Sequence, residues 1–525
     1  MVQNEALYES LVSVEDLTEL PVEEALVHIG QLVDLSMDLG RVEGLRRALQ
    51  LSEDLQNRSL TPAQLATSHY FLANAWSNIG RLSKALTNGA WEWEQEELEK
   101  EMIHLRKALR TDGLSELPDE RIGQILTNLG NVMDHVGRFV EAIEYWDRAL
   151  RILPSLSMAR GNRGMGLVRY ALLLYDQGHA LALLRHAHPD LTAALSSPIP
   201  EHARGPFDAC RAGIESKMSP AELRADSADM DGFVLGDSEN EIEYRLWCLS
   251  NSLFLNPLND LGPWPIAARD VLVQPSIVVG IDEGPYYAGF FNQMKQEFAS
   301  ARYLLYDGIN AVRPHFSDRE VLLFNTLDYP TYCLAAEKTK AAFRMLYSLL
   351  DKIAYFLNHY LALSIPERSV KFRTLWYVSQ PRNKGLRPEF QGSRNWPLRG
   401  LYWLSKDLYE AETDFSESLE PDAKELWEIR NHLEHKYLKL HTDEWGGPPS
   451  SEDETLRGLT DTLAFSRYRR DFEAKTMRLA KMVRAGLIYL SLAIHSEERR
   501  RAQERDPDAI IPGMPLGTCD DRWKF

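Results

Sequence analysis

The sequence of 525 residues has only four cysteines, Cys210, Cys248, Cys333 and Cys519, with no Cys-x-x-Cys pair and no knot-like spacing. That excludes a disulfide framework and gives no sign of a thiolate zinc site. Long apolar runs are missing as well. No stretch reaches the roughly 18 apolar residues that a bilayer span needs, and the nearest approach, Met482 to Ile494, is broken by Arg484. The opening residues, MVQNEALYESLVSVEDL, carry acids where a signal peptide would carry a basic region and then an apolar run. A soluble, cytoplasmic protein is expected. Positive charge is short: 59 Lys and Arg stand against 77 Asp and Glu, a net charge of -18. Non-specific coating of nucleic acid is thereby excluded, and any nucleic-acid chemistry must use a local basic patch. Also absent are the Gly-x-x-x-x-Gly-Lys-Ser/Thr phosphate loop, the His-Glu-x-x-His zinc motif and the Gly-x-Ser-x-Gly elbow. What is present is an ordinary globular composition, 44% hydrophobic and 26% charged, at a length that suits about three domains.

Residues 1–195 read as helix after helix, with apolar spacings of three and four and glycine in the turns. The clearest unit, from about Ile122 to Pro154, resembles a tetratricopeptide repeat (TPR). Leu129 and Gly130 set a large residue beside a small one, and Gly137 occupies the turn. Ala142 and Ala149 are the small contact residues, Trp146 fills the aromatic position, and Pro154 ends the unit. Weaker copies lie at 38–55, at 70–82 (followed by an insertion with Trp91 and Trp93) and from Met158. One such unit cannot bury its own apolar face, so about four stacked helix pairs are expected. Gly161, Gly164 and Gly166 follow no strand and read as close helix packing.

Residues 196–285 are richer in Pro, Gly and Asp and read as a connecting segment of loops and short helices, its later part draped over the next domain. From 286 to 505 the helical pattern returns in longer elements, over 287–309, 333–363, 398–410, 421–440 (with Pro421 in the first turn) and 459–500, which predicts an up-and-down bundle. Residues 506–525 read as an irregular tail. The fold class is therefore all-α: a TPR-like helical solenoid followed by a helical bundle.

In the fourth of these elements, IRNHLEHKY (429–437) sets four residues between Arg430 and His435, with polar Asn431 after the arginine. Here the chain resembles the HEPN superfamily of all-helical ribonucleases, whose signature is an Arg followed shortly by a His on a bundle helix. NSLFLNPLNDLG, AARDVL, MKQEFASARYLLYDG and LLDKIAYFLN resemble the branch fused to TPR repeats, over about 250–500. The resemblance implies a metal-independent endoribonuclease, without cofactor, that leaves a 2′,3′-cyclic phosphate. It implies an effector of prokaryotic antiviral defence or a toxin-like system, with the repeats sensing or restraining through a protein or peptide partner. Histidine suits proton transfer near neutral pH, and arginine suits a fixed positive charge at the phosphorane-like transition state. His435 is thus general base or acid, Arg430 clamps the phosphate oxygens, and Asn431 orients the pair. Residues five apart on a helix sit about 140° apart around its axis, so a site built from one helix would be awkward; the resemblance implies a homodimer whose facing helices form one cleft. His432 is a neighbour that could assist, and Asp351 and Lys352 are expected in structural pairing near the cleft.

The segment 367–399 has eight basic residues against two acidic ones, interleaved with aromatics, and is the best local footprint for single-stranded RNA: Lys371, Arg373, Trp376, Arg382, Lys384 and Arg387. Residues 1–60, with twelve acids and four basic residues, would repel RNA. Other readings stay open. Arg430 and Glu434 could form a surface ion pair, and His435 could cap a carbonyl. Glu428, His432 and His435 share a stripe that could hold a metal. The basic segment could be an insertion whose aromatics pack on the bundle. The whole chain could be a non-catalytic TPR scaffold whose bundle mediates dimerisation or ligand binding.

Overall fold

The computed structural model describes all residues except 1, 85–90, 225–231, 281, 379–384, 411–417, 443–460, 462, 509 and 525. Helix α1 (Val2–Val12) leads into antiparallel pairs: α2 (Val22–Asp38) with α3 (Val42–Gln56), α4 (Pro62–Lys84) with α5 (Glu96–Leu109), α6 (Asp119–His135) with α7 (Phe139–Ile152), and α8 (Ser157–Leu173) with α9 (Gln177–Leu195). Helix α10 (Glu201–Glu215) packs on α8 and α9, so the array continues past residue 195.

The reason for this stacking is steric. The buried indole of Trp146 lies between Gly130 of α6 and Gly166 of α8, and a Cβ at either glycine would overlap it. Its Nε1–H donates to Asn131 Oδ1 at 3.1 Å, and the same oxygen accepts from Asn162 Nδ2 at 2.8 Å. Gly161 and Gly164 give the same close approach to Phe207 and Leu191. Gly137, at φ +92°, turns the chain between α6 and α7. Helices α1 to α4 enclose a core of their own, whereas from Tyr70 onward one core runs through to Ile494.

The connector follows as α11 (Pro220–Arg224) and α12 (Glu239–Ser250). The expected drape over the next domain is corrected by the stretch after α12. Leu253, Phe254, Leu255, Asn256, Leu258 and Asn259 are buried as a wedge. The buried Arg484 donates from Nε to Phe254 O at 2.6 Å and from Nη2 to Asn256 O at 3.0 Å, and pairs with Asp260 at 2.6 Å. Arg302 donates to Leu253 O at 2.9 Å and grips both oxygens of Asp270. Buried carbonyls of a non-helical segment need donors, and these two arginines supply them.

The bundle comprises α13 (Tyr286–Ile309), α14 (Leu334–Tyr360), α15 (Trp396–Ser405), α16 (Ala423–His435) and α17 (Arg469–Glu504). Among the described residues no helix is long and apolar enough to cross a membrane. Four of the five expected bundle helices are shorter than the sequence suggests; the last starts at Arg469 rather than 459. Helix α16 starts after Pro421 and ends at His435, where Lys436 leaves helical geometry at φ -138°, ψ -138°. Residues Leu438–His441 then form strand β1, paired in parallel with β2 (Phe465–Tyr468), Leu438 opposite Phe465. The cause is Lys439: its buried ammonium is held by Asp328 at 2.6 Å and Asp461 at 2.9 Å, partners that a continued helix would not meet.

Three of the contacts between array and bundle show how they are joined. Trp93, in the insertion of the second pair, is buried with ring centroids 5.4 Å from both Phe390 and Tyr402, and its Nε1–H donates to Ser393 O at 3.1 Å. Gly137 and Gly400 bring their backbones together so closely that neither has room for a Cβ. The buried Asp407, just after α15, accepts a two-pronged pair from Arg106 (2.6 and 3.0 Å) and a third contact from Arg138 (2.8 Å). Burial alone would raise the Asp407 pKa; Arg106 and Arg138 overcome it and hold the carboxyl well below its ordinary range.

Removing one partner of a buried pair strands the others. Asp407→Ala should destabilise the protein by about 3–5 kcal/mol in urea unfolding. Glu5→Ala, which breaks the half-exposed pair with Arg41, should cost less than about 1 kcal/mol. Equal effects would refute the anchoring role of Asp407.

Candidate functional site

Helix α16 buries Ala423, Leu426, Ile429 and Leu433, one stripe at spacings of three and four. This stripe fixes the remaining side chains. Arg430 is half-buried, with its guanidinium over the Tyr347 ring at 5.3 Å from the centroid. One turn further along α14, Asp351 accepts the Phe372 backbone N–H at 3.1 Å. Burial raises the Asp351 pKa above its ordinary range; the Phe372 N–H, Arg430 and Lys371 oppose the shift, while Glu410 adds to it. The Tyr347 hydroxyl is pushed up by burial and by Asp351, against Arg430. Lys371 pairs with Glu410 at 3.1 Å. Arg430, Tyr347, Asp351, Lys371 and Glu410 thus form one polar cluster at the α14–α16 seam.

His435 ends α16. It is exposed, and no hydrogen bond, ion pair or ring contact joins it to another described residue. Below it, Arg344 Nη2 donates to Leu433 O at 2.6 Å and Nε lies 3.9 Å from Glu434. A guanidinium there satisfies a terminal carbonyl and complements the negative end of the helix. Glu434 therefore faces Arg344 rather than Arg430. Asn431 is half-buried beside the arginine. Within one chain, Arg430 and His435 keep different neighbours.

His432 belongs to the packing. Its Nδ1 is 2.8 Å from Glu428 O, its ring stacks on Phe465 at 4.7 Å and 18°, and Arg467 covers the other face of Phe465 at 4.0 Å. With Nδ1 occupied in this way, the Glu428–His432–His435 metal stripe is not assembled, and no group of three or more His, Cys, Asp or Glu among the described residues is placed to hold a metal ion. Lys352 pairs with Glu297 of α13, on a different side of α14 from the cluster. Sequence reasoning missed Arg344 and Tyr347. Together with Asp351 they lie three and four apart on α14, a polar line beside an apolar face, and that spacing was the available signal.

The RNA footprint read from 367–399 needs correction. Trp376 is buried, its Nε1–H bonded to Phe372 O at 2.9 Å, and Phe372, Tyr377 and Phe390 are buried around it. Trp376 and Phe390 pack against Trp93, and the burial of all four rings leaves no free face for a base. Arg373 is buried and donates to Leu408 O at 3.1 Å, and Arg387 donates to Leu375 O at 3.0 Å. Arg382 and Lys384 lie outside the described residues.

A second polar recess, about 540 Å³, lies on the helical array between α4, α5, α6 and α8, lined in part by Trp76, Arg81, Glu101, Asn131, Asp134 and Arg169. Burial pushes Glu101 up to about 7 against Arg81 and Ser77, and Asp134 up to about 6 against Arg169.

Residues 278–497 match the family described as LA2681-like HEPN. No curated protein matches the chain. The C-terminal bundle is a HEPN domain, and Asp351, Lys352, Arg430, Asn431, His432 and His435 all fall within the matched range.

Two measurements check these placements. Trp376→Ala should destabilise by about 3–5 kcal/mol, the cost of a buried aromatic; a change under about 0.5 kcal/mol would mean a surface residue. A raised carboxyl pKa makes the folded state hold the proton longer, so the stability linked to Glu101 is full below its unfolded value and falls as pH rises through about 7. Glu101→Gln should therefore raise the melting temperature more at pH 8 than at pH 6, and an equal gain at both would contradict the assignment.

Proposed function

Because the C-terminal bundle is a HEPN domain, we propose that this protein is an endoribonuclease that cleaves RNA without a metal, with Arg430 and His435 at the reacting centre. The observation that carries the reading is their setting on α16: an imidazole exposed and unengaged among the described residues at the helix end, and an arginine already ordered over Tyr347. Neutral His435 accepts the proton of the ribose 2′-hydroxyl as its oxygen attacks phosphorus. The bond from phosphorus to the 5′ oxygen breaks, and that oxygen takes a proton from a second imidazole in its protonated form. The products are a 2′,3′-cyclic phosphate and a 5′-hydroxyl, and the proton count is restored when the two imidazoles exchange roles. Arg430 stabilises the extra negative charge on the phosphate oxygens, and Asn431 orients the pair. One chain offers only one such imidazole on α16, so the reaction uses two copies.

The array supplies restraint. Arg110, the residue just after α5, pairs with Glu420 and Asp422, the residues leading directly into α16, and Arg478 of α17 holds the same two acids. A protein or peptide partner in the TPR-like array would act on α16 through α5. An effector role in a prokaryotic antiviral or toxin-like system accords with a nuclease held in this way.

The test is labelled RNA incubated with the full chain in chelator. Cleavage should persist, leave cyclic phosphate ends, and fall by at least about 100-fold in His435→Ala and in Arg430→Ala. Expression of the wild type should slow host growth, and Arg430→Ala should relieve it. If wild type and both variants behave alike, the non-catalytic scaffold is the right reading.

A further inference from the structure

A recess of about 410 Å³ opens between the first half of α9 and the buried wedge that follows α12. Leu258, Ile266 and Val271 give it an apolar lining. Four basic side chains share the opening: Arg185, Arg269, His179 and His186. Asp176 is the one acid that lines it. In a chain of net charge -18 this local balance is inverted. Every one of these residues precedes the matched range 278–497, so the recess lies outside the HEPN domain.

The positive groups are not spent within the protein. Asp176 caps α9, its Oδ1 accepting the His179 N–H at 2.8 Å, and it lies 3.7 Å from the His179 ring. Neither arginine makes an ion pair with, or donates a hydrogen bond to, another described residue. Arg185 Nε is buried without an acceptor, and Arg269 stands over the Phe233 ring, 5.1 Å from its centroid. The exposed Glu222 has its carboxylate taken by the Ser219 N–H at 2.7 Å and hydroxyl at 2.8 Å; these bonds hold its pKa down, with Arg185 a lesser contributor. The His186 pKa is lowered by burial and then by Arg163, with Asp190 opposing and Arg185 adding to the fall. By contrast, the buried Arg106, Arg302, Arg399 and Arg484 each donate to a carboxylate or carbonyl oxygen. A guanidinium N–H buried without an acceptor costs free energy until one reaches it.

We infer that this recess binds a small phosphate monoester, its phosphate held by Arg185 and Arg269 and its organic body lying on Leu258, Ile266 and Val271. Two guanidiniums match a dianion, where a lone carboxylate would leave one of them unmatched, and the fork of each suits phosphate oxygens. The half-buried imidazoles add N–H donors at the same opening. The apolar lining answers to a body that free phosphate lacks, and the volume falls within the range of small-molecule sites. An occupant rests on α9 and on the wedge at once, and Arg484 of α17 holds the carbonyls of that wedge. Binding therefore joins the array to the connector. The inference does not rest on the nuclease reading.

The test is isothermal titration calorimetry on the full chain, with phenyl phosphate, inorganic phosphate and phenol as probes. Phenyl phosphate should bind once per chain, at least about 10-fold more tightly than inorganic phosphate or phenol. Arg185→Gln and Arg269→Gln should each weaken it at least about 10-fold. Both variants should keep the circular dichroism and melting temperature of the unliganded protein, because neither change breaks an ion pair. Arg211→Gln, at an arginine of α10 that pairs with Asp208 outside the recess, should leave the affinity intact. Adenosine monophosphate and glycerol phosphate then separate the sources: tighter binding of the first marks a nucleotide, tighter binding of the second a lipid headgroup, and either supports the site. Absence of saturable phenyl phosphate binding up to about 10 mM overturns the inference, as does an affinity unchanged in both arginine variants. Phenol binding as tightly as phenyl phosphate shows an apolar hole alone, and inorganic phosphate doing so shows an ion site without a place for the body; each result overturns it.

Discussion

Asp407 is the point on which the arrangement of this molecule depends. A carboxylate with almost no exposure is tolerable only when its charge is matched and its lone pairs are used. Here both conditions are met from the other half of the chain, by Arg106 of α5 and Arg138 of the α6–α7 turn. The three charges are stable only together, so array and bundle cannot separate without exposing or stranding them. The Gly137–Gly400 approach and the insertion of Trp93 have the same consequence in apolar terms. From α4 onward the two halves share one core and behave as one body.

That union has a direction. Asp407 and the acids Glu420 and Asp422 bracket the segment between α15 and α16, and the brackets are gripped by Arg106 of α5 and by Arg110 just after it. The helix that carries Arg430 and His435 therefore begins at a residue whose position is set by the array. The pairs of Arg110 with Glu420 and Asp422 tie the end of α5 to the start of α16, which Arg478 of α17 also holds. Glu101, in the recess of the array, lies on the same helix as Arg106, and Arg110 follows its last residue.

The repeat-like pairs were legible because their demands are local. Gly130, Trp146 and Gly137 answer to one steric problem within a few turns, and any sequence solving it shows the pattern. The long helices α13 and α14 were legible from periodicity for the same reason. The β1–β2 pair was not, since four residues cannot distinguish a strand from a helix end, and Lys439 is explained only by Asp328 and Asp461 far away in the chain. The segment 367–399 shows a different failure. Basic residues interleaved with aromatics describe a surface for RNA, but they also describe a socket, and only the position of Trp93 tells them apart. At the candidate site, Arg430 and His435 could be named from their spacing and the family resemblance, whereas Arg344 and Tyr347 became meaningful once α14 was seen against α16.

The division of labour on α16 follows from helix geometry. A residue aligned with the buried stripe can be ordered by its own chain, and Arg430, next to Ile429, is ordered by Tyr347 and the acid below it. A residue at the last helical position has no following turn to pack against, and His435 is left in solvent. An ordered cation and an unengaged imidazole about 140° apart cannot both face one phosphate from a single rigid helix. Either the substrate wraps the helix end or a second surface closes over it. The neighbouring apolar segment, residues 316–327, is fixed at its base to the strand that follows His435. The exposed apolar segment and the helix that ends in His435 are thereby tied to the same strand, and the start of that helix is held by the array through Asp422.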